Sequence, residues 1–127
     1  MFAEKVVIIT GASSGLGRQL ARDLAARRCR VVLFARNADA LAEAVAECEA
    51  AGGEAMAVTG DVTQPEDCER LIAKTTESFG SIDFLISNAG LSMWAKFEEV
   101  TDLSLFRRLM EVNYLGLVHT LHFALPA

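Results

Sequence analysis

Val6-Val7-Ile8-Ile9-Thr10-Gly11-Ala12-Ser13-Ser14-Gly15-Leu16-Gly17-Arg18-Gln19-Leu20 is the stretch from which the rest of the chain can be read. Val6 to Ile9 is an unbroken apolar run, which suits a parallel strand covered on both faces, because nothing in it alternates. From Gly15 onward, Leu16, Leu20, Leu24 and Ala25 recur at helical spacing with Arg18, Arg22 and Asp23 between them. The glycines therefore mark a strand-to-helix turn, where unpaired N–H groups and the positive dipole end collect an anion. Gly11 suits the tight turn, Gly15 lets a diphosphate approach the backbone, and Gly17 lets the helix lie close to the strand. The spacing is G-x-x-x-G-x-G, not the G-x-G-x-x-G of the general dinucleotide fingerprint. A glycine-rich turn by itself can be purely structural. With strand before and helix after both legible, this one reads as a nucleotide site.

The pattern repeats outward. Arg30–Ala35 is a second buried-strand run, and Asn37 can cap a helix through about residue 52, with Leu41, Ala44, Val45 and Cys48 inward. Gly52 and Gly53 end it. Glu54–Thr59 is a short third strand. Thr63 or Gln64 then opens a helix with Pro65 in its first turn and Glu66 and Asp67 at its positive end. That helix reaches about Phe79 and closes at Gly80. Residues 82–87 form a fourth strand, followed by a polar, glycine-containing loop and a long amphipathic helix over about 102–125, interrupted only at Gly116. Four strands alternating with helices predict a parallel sheet with right-handed crossovers and helices on both faces. The doubly-wound rule gives strand order 3-2-1-4, with a crevice between strands 1 and 4.

Composition excludes several classes. The 127 residues make one domain or part of one, with 52% hydrophobic and 23% charged residues. A net charge of −5 gives no support to nucleic-acid binding or to an anionic membrane surface. Cys29, Cys48 and Cys68 are widely spaced and show no metal-ligand pattern, so they read as buried residues of a reducing compartment. No apolar run approaches the ~18 residues of a membrane span. Residues 1–5 lead straight into the first strand rather than forming a signal peptide, so the expected location is cytoplasmic.

Thr10-Gly11-Ala12-Ser13-Ser14-Gly15-Leu16-Gly17, Gly60-Asp61-Val62-Thr63, Ser87-Asn88-Ala89-Gly90 and Val112-Asn113-Tyr114-Leu115-Gly116 together resemble the short-chain dehydrogenase/reductase family. The four motifs occur in the right order and cover nearly the whole chain. The resemblance implies a Rossmann-type α/β fold and a cofactor site formed by Gly11, Ser13, Ser14, Gly15, Leu16, Gly17, Asp61, Val62, Asn88, Ala89 and Gly90. In the family, the acid after strand three meets the adenine amine, and Asn88-Ala89-Gly90 passes beside the cofactor ribose. Asn113 matches the family's catalytic Asn, whose main-chain carbonyl holds a water of the proton relay at a local helix break. Each has a plainer reading. Asp61 could be an Asx turn, Asn88 to Gly90 a close backbone approach, and Asn113 a tolerated polar residue.

Cofactor choice follows from strand two. An NAD site needs an acid at that strand's end to bind the ribose 2′-hydroxyl, and the chain has Ala35-Arg36-Asn37 there instead. A guanidinium suits a 2′-phosphate, so NADP(H) is expected, with Arg36 and Asn37 at the site and Ser13 as a further donor. The plain alternative is a solvated Arg36.

The family's Ser and its Tyr-x-x-x-Lys pair have no counterpart in these residues. The one tyrosine, Tyr114, has Val118 four positions on, and neither Ser87 nor Ser92 sits with a Tyr–Lys pair. The expectation is a domain over 1–127 that stops before those residues and has no turnover alone. His119 and His122 mimic a ligand pair but lack a third ligand, so no metal is expected and both read as helix-surface or interface residues.

The parent activity implied by the resemblance is hydride transfer between NADP(H) and a ketone or secondary alcohol. A non-catalytic nucleotide-binding or sensing module and an assembly fragment are the alternatives. An edge-lying fourth strand and surplus apolar residues on the last helix read as the first half of a larger domain, or as a surface hidden by association, a homo-oligomer through that helix. Met93, Trp94 and Phe97 would line one wall of an apolar substrate pocket, although Trp94 packing on its own domain fits equally well.

Overall fold

In a computed structural model, residues 2–90 and 96–127 are described. The expectation placed on Ser92, Met93 and Trp94 lies outside them. The elements run β1 (Val6–Thr10), α1 (Gly15–Ala26), β2 (Arg30–Ala35), α2 (Ala38–Ala50), β3 (Glu54–Thr59), α3 (Pro65–Phe79) and β4 (Phe84–Ile86). A 3₁₀ turn (Phe97–Glu99), α4 (Ser104–Met110), a π turn (Glu111–Leu115) and α5 (Gly116–Ala124) follow.

The strands form one parallel sheet in the order β3-β2-β1-β4, as the doubly-wound rule predicts. Val6–Thr10 is buried along its whole length. Alternate residues of β1 and β2 face opposite ways. Val7, Ile9, Val31 and Leu33 pack with Ala21, Ala25, Leu41, Ala44 and Cys48 under α1 and α2. Ile8, Val32 and Phe34 pack with Cys68, Leu71, Ile72 and Ala124 under α3 and α5. This double covering is why neither strand alternates in sequence. Cys29, Cys48 and Cys68 are all buried and free, and burial pushes the Cys48 and Cys68 thiols up to about 11.

Local chemistry sets the helix ends. The Asn37 side chain accepts from Ala40 N at 3.0 Å, Pro65 opens α3, and Gly80 closes it in the left-handed region. Among the described residues, no helix is long and apolar enough to cross a membrane.

Two boundaries differ from the sequence reading. The fourth strand pairs over Phe84–Ile86 rather than 82–87, because its ladder with β1 ends where Asn88 N turns to the Thr10 hydroxyl. The last helix is interrupted at Glu111–Leu115 by a π turn, and Gly116 begins the next α segment instead of breaking it. Glycine in a helix interior weakens it by up to about 1 kcal/mol but does not oblige a break.

Candidate cofactor cleft

The glycine turn has the backbone that its sequence implies. Gly11 and Gly15 take φ of +65° and +58°, a region that suits glycine. A Cβ on Gly15 would meet no atom within 4 Å, so the turn is open there. A Cβ on Gly17 would lie 2.6 Å from Asn88 Nδ2, so this buried glycine is what lets α1 approach the end of β4. Ser14, at the N-cap of α1, makes no side-chain capping bond, and the first turn carries no acid. The positive end of α1 is thus met by no side-chain cap from Ser14 and no acid of its own first turn.

A second layer of bonds fixes the turn against β4. Thr10, fully buried, accepts through Oγ1 from Asn88 N at 3.0 Å and Ala89 N at 3.1 Å. Asn88 Nδ2 donates to Gly11 O at 3.2 Å. At the other end of the ladder, Asp83 Oδ2 accepts from Val6 N at 2.8 Å. These bonds give Asn88 a scaffolding role whatever the ligand.

The carboxyl ends of all four strands open onto one cleft of about 1150 Å³. Gly11, Ser13 and Ser14 form its floor; Phe34, Ala35, Arg36 and Asn37 come from the end of β2. Gly60, Asp61, Val62 and Thr63 follow β3, and Asn88, Ala89 and Gly90 follow β4. The far wall is Asp102, Ser104, Leu105, Arg107, Arg108, Glu111 and Val112. Residues 77 positions apart in the chain thus share one crevice, at the place where the strand order reverses.

Ten sequence-predicted positions line this cleft: Gly11, Ser13, Ser14, Arg36, Asn37, Asp61, Val62, Asn88, Ala89 and Gly90. Gly15, Leu16 and Gly17 belong to the turn but not to the lining, with Leu16 exposed and Gly17 buried beneath it. Asn113 lies in the π turn. Its Oδ1 would stand 3.1 Å from a Cβ on Gly90, which brings the end of the β4 motif against the last helix. A π turn shifts the register of main-chain carbonyls and is frequent at functional sites.

Asp61 makes the Asx turn that was its plainer reading, accepting through Oδ1 from Thr63 N at 2.9 Å and Thr63 Oγ1 at 2.8 Å. It also lines the cleft, so the two readings coexist. Asp67 Oδ2 accepts from Asp61 N, and this bond, with help from Arg70, holds the Asp67 carboxyl below its usual range. The Ser104 hydroxyl and N–H do the same for Asp102 at the far wall. Arg36 is exposed and makes no ion pair among the described residues.

Arg107, Arg108, Glu111 and Val112 were not singled out from sequence. Adjacent arginines on an amphipathic helix look like any solvated face; Val112 had a signal in its place beside Asn113. His119 corrects the surface reading. Its Nδ1 lies 2.7 Å from Val62 O and ties α5 to the loop after β3, whereas His122 is exposed with its ring on Phe123.

Known proteins share this arrangement. The chain is 42% identical over 123 residues to an 11-beta-hydroxysteroid dehydrogenase of Pinus massoniana, covering 96% of this chain and 35% of that protein. It is 43% identical over 124 residues to 11-beta-hydroxysteroid dehydrogenase A of Arachis hypogaea, covering 97% and 36%. It thus spans about a third of the length of the curated relatives it matches. Among solved structures, hydroxysteroid dehydrogenase from Escherichia coli superposes with a TM-score of 0.91 at 31% identity, covering 98% of this chain and 52% of that one. L-sorbose reductase from Gluconobacter frateurii, complexed with NADPH and L-sorbose, gives 0.90 at 31%, covering 98% and 48%. An NADH-dependent reductase complexed with NAD gives 0.86 at 31%, covering 98% and 52%. The short chain dehydrogenase family profile matches residues 5–127, taking in β1 through α5 and every wall of the cleft; the chain belongs to the short-chain dehydrogenase/reductase family.

Proposed function

We propose that the chain is the NADP(H)-binding portion of a short-chain oxidoreductase that moves a hydride between the cofactor and a ketone or secondary alcohol. The observation that carries this reading is the single cleft onto which the glycine turn, Arg36, Asp61 and Asn88 to Gly90 all open. The open, uncapped positive end of α1 suits the diphosphate. Arg36 suits a 2′-phosphate, to which it can donate charge-assisted hydrogen bonds. Asp61 and Val62 would bound the adenine, and Asn88 to Gly90 the ribose. When bound, the nicotinamide supplies or accepts the hydride. Asn113, in the π turn, would hold a relay water through its main-chain carbonyl.

The curated relatives are named for hydroxysteroid substrates, which favours a lipophilic, ring-bearing ketone or alcohol for the full activity. The 127 residues contain no Tyr-x-x-x-Lys, so this chain by itself should bind cofactor without turning over. That same observation supports the second reading, a nucleotide-binding module without catalysis. Apolar side chains exposed along α4 and α5 support a homo-oligomer through these helices.

Amide chemical-shift mapping during an NADPH titration tests the site. Shifts centred on Ser13, Ser14, Arg36, Asp61 and Gly90 are expected. Saturable binding with shifts confined to other surfaces would overturn the assignment.

A further inference from the structure

Arg18, in the first turn of α1, has its guanidinium held on two sides. Nε donates to Glu47 Oε2 at 3.2 Å, Nη2 pairs closely with Glu47 Oε1, and Glu43 lies 3.6 Å away. The remaining arm, Nη1, donates to the main-chain oxygen of Ser13 at 3.3 Å. The side chain is only 23% exposed, and Arg18 does not itself line the cleft, although Ser13 and Ser14 do. In a trans peptide the carbonyl and the following N–H point to opposite sides. Drawing Ser13 O toward Arg18 therefore turns Ser14 N–H the other way and removes a carbonyl dipole that would repel an anion.

We propose that Arg18 is a positioning residue for diphosphate binding, holding the 13–14 peptide so that its N–H rather than its carbonyl is offered to the ligand, with Glu47 of α2 as the anchor. The role rests on the nucleotide reading given above. It places the set-point of the glycine turn partly in the packing of α1 on α2, through a contact the glycine motif does not encode. Preorganising the peptide before binding is what strengthens the site, since an unanchored turn must be ordered by the ligand.

The test compares two probes on the 127-residue chain. NADPH contains the diphosphate; adenosine 2′-monophosphate has the 2′-phosphate and adenine but no diphosphate. The Arg18→Met variant keeps an aliphatic stem for packing, and Glu47→Gln loosens the anchor while leaving Arg18 in place. Affinity for NADPH should fall about tenfold in Arg18→Met, the size of one well-placed charged hydrogen bond lost, and less in Glu47→Gln. Affinity for adenosine 2′-monophosphate, read by ligand-observed NMR, should fall less than affinity for NADPH in both, because its phosphate meets Arg36 and the Ser13 hydroxyl but not the Ser14 N–H. Equal losses for the two probes, or no loss for NADPH, would overturn the positioning role while leaving the nucleotide reading intact. An unsubstituted chain that binds no NADPH would overturn both.

Discussion

At the scale of single residues, the chain places small polar side chains where the backbone of two loops must be held together. Thr10 is the example: fully buried, it accepts from two backbone N–H groups of the Asn88–Ala89 segment. Thr10→Val keeps the shape but leaves both donors unpaired, so a loss of about 2–4 kcal/mol is expected from urea unfolding, together with weaker cofactor binding. Arg36 makes the opposite kind of prediction. Arg36→Asp should leave stability unchanged and turn preference from NADPH toward NADH, because a carboxylate accepts from a ribose 2′-hydroxyl and repels a 2′-phosphate. Asp67 gives a pH signature. Its folded value lies below the ordinary 3.8, so its bonds to Asp61 N and Arg70 stabilise the fold fully above that value and are lost as pH falls through the lowered one. Asp67→Asn should therefore cost stability at about pH 6, and the difference from the parent chain should shrink below about pH 4. That the glycine turn, Arg36 and the Asn88 motif share one cleft was legible in sequence because each follows a strand end and carries residue types that mark a turn or a close approach. The Asp67–Asp61 and Arg18–Ser13 bonds were not, since an acid or an arginine in a first helical turn has many other uses.

At the scale of elements, what the sequence could not show was where regular structure gives way. The period of apolar residues continues through Glu111–Leu115, yet the backbone there is a π turn, and its one outward sign was Asn113 in a motif borrowed from family resemblance. Strand four was overextended for a related reason: Ile82 and Phe84 to Ile86 are apolar, but pairing needs a partner, and β1 offers one at Val7–Ile9. Packing of α5 supplies a test. A Cβ on Gly116 would lie 2.7 Å from Val62 Cγ2 and 3.0 Å from Val62 Cβ. Alanine gains up to about 1 kcal/mol of helix propensity, but the β-branched Val62 has little freedom to move aside. Gly116→Ala should be net destabilising, by about 1–3 kcal/mol of clash less that gain, measured as a lower urea midpoint.

At the scale of the whole molecule, the βα alternation indicated a parallel sheet with right-handed crossovers, and the doubly-wound rule for a dinucleotide-type glycine turn chose the order 3-2-1-4 that the sheet has. The order in turn sets the cleft, since it carries the ends of β1 and β4 to the crevice where the glycine turn opens. Among the described residues it also leaves β4 at the end of the sheet, with Phe84 46% exposed. On the last helical segments Tyr114, Val118 and Leu121 are also exposed. If these residues mediate association, light scattering should show a mass that rises with concentration, and Val118→Glu with Leu121→Lys should return it to the monomer. Whether the cleft holds a dinucleotide is read out by parallel fluorescence titrations of this chain with NADPH and NADH. Saturable binding of both is expected, tighter for NADPH by about tenfold or more, the contribution of Arg36 to a 2′-phosphate. Binding of neither cofactor, or tighter binding of NADH, would contradict it.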